Sequence, residues 1–536
     1  MKSRGLLIAL LPMLAVLALA ADAFAGAYNA QPKLVVILVI DQFRGDFLER
    51  ARDQLGDSGF RLLTDRAAYF PDCFYNYANT ETGPGHATLL TGTYTDGHGI
   101  GSNNWWNQDK KRMVSSVFDD STRQVGIANA GPGASPHNLL SDTLGDELKL
   151  ATQGQSRVFT ISLKDRSAVL PGGYSADAAF WIAQSSGAWI TSTYYMAQLP
   201  AWLVEFNRTN TDKYWNRDWK DTNGNVLRST ARPAELAKDS FYETVGATPF
   251  ANDYEFELAR ALIAAEKLGE GKTTDLLVIS LSASDILGHK VGPDAPEARA
   301  MVLAEDRQIA DFFQFLGSRF GLANVWIAFT ADHGVSPAPA YAKKFRLPAR
   351  TFSGAEARKQ LNAEVAKAAG HPGPYILDQD GAYLYLSSEA FTAAKIKESD
   401  AERLVGDLIK QMGWARTYIT RTELASGELP AEFAATRPQW QHSYSSNGGW
   451  YVLTIPAPFT FPWSSPTGTT HGSPYFYDTH VPLALYGLPF QSGVYRGRCE
   501  IVDMTATLAS MLGIRAPARA VGRVLVETLR HQGPAQ

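Results

Sequence analysis

Three aspartates and three histidines in this 536-residue sequence have the types and spacing of metal ligands. They are Asp41, Asp285, His289, Asp332, His333 and His471. Asp285 and His289 are four residues apart, so on a helical turn they share one face. Carboxylate and imidazole groups together suit zinc. A single Asp–His pair is more often structural, but six such residues on four separate segments favour a metal centre.

Thr82 is a candidate nucleophile within the segment that runs from Asn79 to Leu90. Pro84 is tolerated in the first turn of a helix, so the segment predicts a helix start with Thr82 at or next to the N-cap. Backbone N–H groups at that position favour an anion, and metal coordination activates a threonine hydroxyl. Taken alone, however, the segment is better explained by a plain helix-capping threonine.

The elements that must position these residues are apolar runs that end in polar side chains. Such runs are typical of strands buried on both faces of a parallel sheet. They occupy Lys33–Ile40, Val158–Ser162, Asp275–Leu281, Val325–Thr330 and Val481–Tyr486. Helical patterns lie between them, at Asn252–Leu268 and Pro296–Phe320. Because ligands bind at the carboxyl ends of strands in open α/β sheets, the strand-end aspartates should meet at one edge.

This organisation predicts an α/β fold over residues 26–536, with a doubly wound, mostly parallel sheet flanked by helices. Two stretches fit this core poorly. Residues from about 170 to 250 are rich in Trp, Tyr, Ser and Asn, and residues from about 336 to 465 mix short elements with Pro, Gly and aromatics. We interpret both stretches as insertions that form a cap near the site.

Residues 1–25 have the features of a secretory signal peptide. Lys2 and Arg4 precede an apolar run from Leu6 to Ala20, and Ala23-Phe24-Ala25 supplies a small-x-small cleavage site. The run is short for a membrane span, which disfavours the alternative of a membrane anchor. We therefore expect a periplasmic or secreted protein with no stable membrane anchor after cleavage. A monomer is also expected.

Composition narrows the partners further. The formal net charge is −4 and the sequence has no basic run, so nucleic-acid binding is not expected. Cys73 and Cys499 are the only cysteines, and their spacing rules out a cysteine-based zinc site. In an oxidising compartment these two can pair, but the sequence does not fix their distance. A disulfide and two free thiols are therefore both open.

The motifs together resemble the alkaline phosphatase superfamily in their order along the chain. They are Asp41, Thr82-x-Pro-x-His86, Asp285-x-x-x-His289, Asp332-His333-Gly334 and His471-Gly472. Thr82-Gly-Pro-Gly-His86 resembles the Thr-x-Pro-x-His of the nucleotide pyrophosphatase/phosphodiesterase branch, as does the following segment from Gly92 to Asn103. Lys164-Asp165-Arg166 resembles the Lys-x-Arg pair of PafA-like alkaline phosphatases, the monoesterases of that branch.

The resemblance implies a site with two Zn²⁺ ions. Asp285, His289 and His471 would hold one ion, and Asp41, Asp332, His333 and the Thr82 oxygen would hold the other. Thr82 would be the nucleophile and would form a phosphothreonine intermediate. Asn103, Lys164 and Arg166 would bind the non-bridging phosphoryl oxygens. His480 is the main rival of His471 as a ligand, and His471 is preferred because His-Gly matches the ligand context of the family.

Charge balance favours small phosphate monoesters as substrates. With its carboxylates and the threonine alkoxide, the two-zinc core is about neutral, and Lys164 and Arg166 then balance the roughly two negative charges of a monoester. A phosphodiesterase or nucleotide pyrophosphatase of the same superfamily is the nearest alternative. A sulfatase is less favoured, because its nucleophile is an oxidised Cys or Ser. A zinc-binding or storage protein without catalysis is the alternative from a different class.

Overall fold

A computed structural model of the chain describes residues 31–128, 130–463 and 467–529. The predicted signal peptide lies outside the described residues. Within those ranges, no helix combines the length and the apolar composition that a membrane span requires.

The strands are numbered in chain order. They are β1 (Leu34–Ile40), β2 (Ala68–Phe74), β3 (Asn104–Asn107), β4 (Arg112–Ser115), β5 (Phe118–Val125), β6 (Pro132–Ala134), β7 (Val158–Ser162), β8 (Ala178–Ile182), β9 (Trp189–Ser192), β10 (Asp218–Lys220), β11 (Val226–Ser229), β12 (Asp275–Leu281), β13 (Val325–Thr330), β14 (Arg350–Thr351), β15 (Ile376–Asp380), β16 (Tyr383–Leu386), β17 (Thr417–Thr420), β18 (Tyr451–Ile455), β19 (Thr460–Phe461), β20 (His480–Tyr486), β21 (Gly493–Val494) and β22 (Cys499–Glu500).

The α-helices are numbered in the same way. They are α1 (Phe47–Ala51), α2 (Phe60–Asp65), α3 (Thr82–Thr91), α4 (Thr95–His98), α5 (Leu144–Ala151), α6 (Asp165–Gly172), α7 (Ala201–Asn210), α8 (Ser240–Thr244), α9 (Pro249–Ala265), α10 (Ala283–Val291), α11 (Pro296–Phe320), α12 (Pro339–Lys344), α13 (Gly354–Ala369), α14 (Ser388–Ala393), α15 (Glu398–Gln411), α16 (Arg421–Ser426), α17 (Arg437–Gln441), α18 (Phe476–Thr479) and α19 (Val502–Leu512).

The central sheet has 12 strands, and its middle is parallel. The order is β21-β2-β20-β13-β1-β12-β7-β8-β9-β5-β6, with β22 paired to β2. The run β13-β1-β12-β7-β8 is parallel throughout, whereas β20 and β9 are antiparallel to their neighbours in this run. Every residue of β1, β12 and β13 is buried, as expected for a parallel sheet covered on both faces. The predicted α/β fold with a mostly parallel sheet is confirmed.

Helices flank this sheet in two groups. One group contains α9, α10 and α11, which pack on one another, and α9 contacts β7 and β12. The other contains α3 and α6, which pack together, and α6 contacts β7, β8 and β12. Ala179 of β8 shares an apolar cluster with α6, whereas its neighbour Phe180 shares a different cluster with α9. Because successive residues of a strand point to opposite faces, the two groups cover opposite faces of the sheet.

The first predicted insertion, about residues 170–250, lies partly in the central sheet. Its early residues form β8 and β9, and β8 is buried along its whole length. The aromatic and polar composition of the stretch concealed these two short strands. The residues after β9 form α7, the β10–β11 hairpin and α8, outside the central sheet.

The second predicted insertion, about residues 336–465, contains a separate sheet. Strands β15-β16-β18-β17 form an antiparallel sheet, on which α15 packs, and they share an apolar cluster that includes Leu361, Tyr375 and Val405. β15 also lies against β3, which belongs to the earlier part of the chain. The turn after β15 therefore reaches the main body of the protein.

The two cysteines are neighbours in space. Cys73 and Cys499 are register partners on the parallel strands β2 and β22. Both are buried and both are free thiols in this structure.

Candidate active site

The candidate site lies at the carboxyl edge of the parallel strands. Asp41 follows β1, Lys164 follows β7, Asp285 follows β12 on the first turn of α10, and Asp332 follows β13. Because β13, β1, β12 and β7 are adjacent and parallel, the residues after them meet at one edge of the sheet. This is the arrangement that the strand-end aspartates predict.

Six of the sequence-predicted residues form two groups of metal-ligand type. Asp285, His289 and His471 form one group and Asp41, Asp332 and His333 the other, and within each group the ligand atoms lie within 4.8 Å of one another. In the first group, the Nε2 atoms of His289 and His471 are 3.0 and 3.6 Å from Oδ1 of Asp285. In the second, Nε2 of His333 is 3.5 Å from Oδ1 of Asp41 and 3.4 Å from Oδ2 of Asp332.

The histidine rings are oriented as metal ligands usually are. Nδ1 of His289, His333 and His471 lies 2.9, 2.9 and 2.8 Å from the backbone carbonyls of Thr469, Gly334 and Thr80 respectively. Nδ1–H therefore donates to a carbonyl in each case and Nε2 is left as the electron-pair donor.

Buried polar atoms without hydrogen-bond partners also indicate a metal site. Asp41 Oδ1, Asp332 Oδ2 and His333 Nε2 are buried and have no hydrogen-bond partner in the described part of the chain. Buried polar atoms are normally paired, so three such atoms in one group call for a ligand. The donor set of three carboxylates and three imidazoles fits two ions of the zinc type.

Lys164 connects the two groups. Its Nζ donates to Oδ2 of Asp41 at 2.6 Å and to Oδ2 of Asp285 at 2.5 Å, and its side chain is only 1% exposed. Burial lowers the pKa of Lys164, but Asp285 and Asp41 outweigh burial and raise it above its usual range. The ammonium group is therefore charged, and it lies between the two ligand groups.

Burial and neighbouring charges also shift the pKa values of the carboxyl groups. Burial, reinforced by Asp332, raises the pKa of Asp41 to about 6 although Lys164 opposes the rise. Burial also acts to raise the pKa of Asp285, but His289 and Lys164 outweigh it and hold that pKa well below the usual range. Asp285 is therefore a firmly ionised carboxylate.

Thr82 is the first residue of α3, directly after the N-cap residue Glu81. Its side chain is buried, and Oγ1 lies 3.5 Å from Nζ of Lys164. His86, one turn later, is held in place because its Nδ1 and Nε2 lie 2.8 Å and 2.7 Å from the Thr82 carbonyl and the Ser280 hydroxyl. The segment thus places one hydroxyl beside the lysine at the amino end of a helix.

Asn103 and Arg166 complete the predicted set. Oδ1 of Asn103 accepts the N–H of Gly83 at 2.7 Å, which brings its amide group next to Thr82. The Arg166 side chain is 21% exposed, and its buried Nε has no hydrogen-bond partner among the described residues. An unpaired buried guanidinium N–H is suited to an anionic oxygen.

His480 lies elsewhere. Its Nε2 is 2.7 Å from the backbone carbonyl oxygen of Pro71, and its ring packs against Gly45. Neither ligand group contains it. Of the two rival histidines, His471 is the one that the structure brings to Asp285.

Three residues near the site escaped the sequence analysis. Glu81 accepts the backbone N–H of Asn103, Asp380 accepts that of Asn104, and Tyr242 is close enough to Lys164 and Arg166 for their charges to act on it. Burial raises the pKa of Tyr242 to about 12 against those charges. The position of Glu81 directly before Thr82 could have marked it as a candidate. Asp380 and Tyr242 lie in the two stretches interpreted as insertions, and no sequence motif marks them.

Comparison with known proteins identifies the family. Residues 35–423 match the family described as type I phosphodiesterase / nucleotide pyrophosphatase. The chain belongs to this family. A protein of Myroides odoratus named calcium-transporting ATPase is 31% identical over 524 residues, which cover 93% of this chain and 95% of that protein. Alkaline phosphatase PhoV of Synechococcus elongatus is 31% identical over 532 residues, or 94% of each chain.

The fold matches a solved alkaline phosphatase. The crystal structure of wild-type alkaline phosphatase PafA superposes with a TM-score of 0.84 at 29% identity, over 93% of this chain and 99% of PafA. A PafA variant, in which a threonine is replaced by serine and an asparagine, a lysine and an arginine by alanine, superposes with a TM-score of 0.83. Within the family, the chain is thus similar to alkaline phosphatases over nearly its full length.

Proposed function

We propose that this protein is an exported alkaline phosphatase that hydrolyses small phosphate monoesters, with Thr82 as its nucleophile. The observation that carries the proposal is the position of Lys164. Its ammonium group lies between the two ligand groups and 3.5 Å from the Thr82 hydroxyl. A phosphoryl group beside Thr82 would therefore be within reach of a buried positive charge.

The ligand groups suit two Zn²⁺ ions, one held by Asp285, His289 and His471 and the other by Asp41, Asp332, His333 and Thr82. When bound, such ions would act as Lewis acids on the oxygens that enter and leave phosphorus. Thr80 contributes indirectly, because its carbonyl oxygen accepts the Nδ1–H of His471 and it lies two residues before Thr82.

Thr82 would attack phosphorus in line with the leaving group. The bond from Oγ1 to phosphorus forms as the ester bond breaks, which gives phosphothreonine and frees the alcohol. Water then cleaves the phosphothreonine, releases inorganic phosphate and restores the hydroxyl. The amino end of α3 favours this chemistry, because its N–H groups and dipole stabilise negative charge next to Thr82.

Lys164 and Arg166 would select monoesters over diesters. A monoester carries about two negative charges and a diester one fewer, with a second substituent where these side chains would reach. Arg166 suits bidentate binding, and Lys164 acts more as a point charge. The threonine, asparagine, lysine and arginine substituted in the PafA variant occur here in the same order as Thr82, Asn103, Lys164 and Arg166.

The family description also favours a second candidate, a phosphodiesterase or nucleotide pyrophosphatase. The two candidates are separated by the rates for an aryl phosphate monoester and the matching diester. The monoesterase proposal requires a monoester-to-diester ratio of kcat/KM well above one. Each charge-assisted contact is worth roughly 1.5–3 kcal/mol, so Lys164→Ala/Arg166→Ala should lower the ratio by on the order of 100-fold or more.

A matched control is Lys344→Ala/Arg346→Ala. These two residues have the same spacing but are exposed, so their removal should leave the ratio unchanged. An unmodified enzyme that prefers diesters would defeat the proposal and promote the phosphodiesterase. Export is tested separately, because N-terminal sequencing of the mature protein should begin at Gly26. Light scattering of that protein tests the proposed monomer.

A further inference from the structure

Two carboxyl groups that the proposed chemistry does not use contact the segment that carries Asn103. Glu81 precedes the nucleophile, and Asp380 ends β15 of the segment 336–465. The Glu81 side chain is buried and that of Asp380 is partly buried. Both carboxyl groups accept backbone N–H groups from the segment that carries Asn103.

The two carboxyl groups hold successive residues of the phosphate-binding loop. Oε2 of Glu81 accepts the backbone N–H of Asn103 at 3.1 Å. Oδ2 of Asp380 accepts the backbone N–H of Asn104 at 2.5 Å and its side-chain amide at 3.3 Å. Asn103, fixed in this way, reaches the N–H of Gly83 next to Thr82.

Close packing leaves the Glu81 carboxyl group little freedom. Gly381 has a φ of +50°, and a Cβ atom there would lie 1.5 Å from Oε1 of Glu81. Gly472, next to His471, would place its Cβ 3.8 Å from the same oxygen. Oε1 itself is buried and has no hydrogen-bond partner in the described part of the chain. Glu81 is thus enclosed by the turn after β15 and by the His471 segment.

We propose that Glu81 and Asp380 are positioning residues that hold Asn103 for phosphoryl binding. The segment 336–465 is then part of the phosphate site, because Asp380 from this segment fixes the loop that carries Asn103. The inference rests on the proposed function, since it assigns a task to residues around the same phosphoryl group. Its physical basis is that a loosened loop misplaces Asn103, one of the three phosphate contacts.

The test compares Asp380→Ala with Asp378→Ala as the matched control. Asp378 lies on the same strand but pairs with Arg358 at 2.6 Å instead. Asp380→Ala should lower monoester kcat/KM by roughly 10- to 100-fold and weaken inhibition by inorganic phosphate, as expected for misplaced contacts. Diester hydrolysis should change less, and the control should behave like the unmodified enzyme.

A double-mutant cycle separates positioning from a general loss of structure. If Asp380 acts through Asn103, Asp380→Ala should cost little further activity in an Asn103→Ala background. An equal loss in both backgrounds, or an equal loss for monoesters and diesters, would overturn the inference. Parent-like kinetics of Asp380→Ala would overturn it as well.

Two milder variants guard against misfolding of Asp380→Ala. Asp380→Asn keeps an acceptor for the N–H of Asn104, so it should show a smaller loss that disappears in an Asn103→Ala background. Glu81→Gln keeps an acceptor for the N–H of Asn103 and should behave in the same way, and a loss that persists without the Asn103 side chain contradicts the inference. An unmodified enzyme that does not prefer monoesters defeats the proposed function, whereas a clear preference that Asp380 variants leave intact defeats only this inference.

Discussion

Gly85 offers a stringent test of how α3, the helix that begins at Thr82, is positioned. It lies in the first turns of α3, where a Cβ atom would be 2.2 Å from the backbone oxygen of Asp332 and 2.9 Å from its Cβ. Ordinary contacts begin at 3.4 Å, so Gly85→Ala requires a separation of 3.4 − 2.2 = 1.2 Å between α3 and the end of β13. The clash is with backbone, which has no rotamer to move away.

Two effects of Gly85→Ala oppose each other. Replacing glycine by alanine inside a helix stabilises it by roughly 0.5–1 kcal/mol. Overpacking a tight contact costs about 1–3 kcal/mol. The clash should prevail, with a net loss of about 1–2 kcal/mol in the free energy of unfolding. Because Thr82 and Asp332 would move apart by about 1 Å, kcat/KM for a monoester should fall on the order of 100-fold.

The assay pairs urea unfolding with steady-state kinetics on an aryl phosphate monoester. The control is Gly317→Ala in α11, where the nearest atom to a new Cβ is Leu322 Cβ at 3.9 Å. This variant should keep its activity and gain roughly 0.5–1 kcal/mol. If Gly85→Ala were as stable and as active as Gly317→Ala, the close contact between α3 and Asp332 would be refuted.

Three further predictions concern the metal, the nucleophile and pH. Exhaustive chelation should abolish activity and zinc should restore it, whereas full activity in protein shown to be metal-free by elemental analysis would exclude the two-metal site. Thr82→Ala should lose several orders of magnitude in rate and Thr82→Ser much less, and mass spectrometry of acid-trapped enzyme should find phosphate on the Thr82 peptide rather than elsewhere. Burial raises the pKa of Glu305 from 4.5 to about 8. Between these two pH values the native state therefore binds more protons than the unfolded chain. The free energy of unfolding should fall as pH rises through this window, by at most about 1.4 kcal/mol per pH unit. Urea unfolding of Glu305→Gln should show a shallower fall, and an unchanged pH dependence would contradict this assignment.

The central strands and the polar residues at their ends were predictable from the sequence alone. The predicted runs Val158–Ser162, Asp275–Leu281 and Val325–Thr330 coincide with β7, β12 and β13, because an unbroken apolar run of this length is buried on both faces. Parallel neighbours then bring their carboxyl ends together, which is why aspartates distant in sequence meet at one edge. The start of a helix near Thr82 was also predictable, because Pro84 is tolerated in the first turn of a helix.

Some elements depended on pairings that local patterns do not encode. The predicted strand Val481–Tyr486 occurs as β20. Its antiparallel direction is known only from its pairing with β13 and β2 in the structure. β8 and β9 are short and lie in an aromatic-rich stretch, so their membership of the central sheet was hidden.

Loop residues depended most on the tertiary structure. His471 lies in an irregular segment and His480 is the first residue of β20, and only the fold brings one to Asp285 and the other to Pro71. Asp380 reaches Asn104 across 276 residues, and Lys164 reaches Asp285 across 121. A local pattern specifies which face of an element is buried, but contacts between loops depend on how separate elements pack. The sequence therefore determined which polar side chains stand at the strand ends, whereas the packing of distant segments decided which other side chains lie near them.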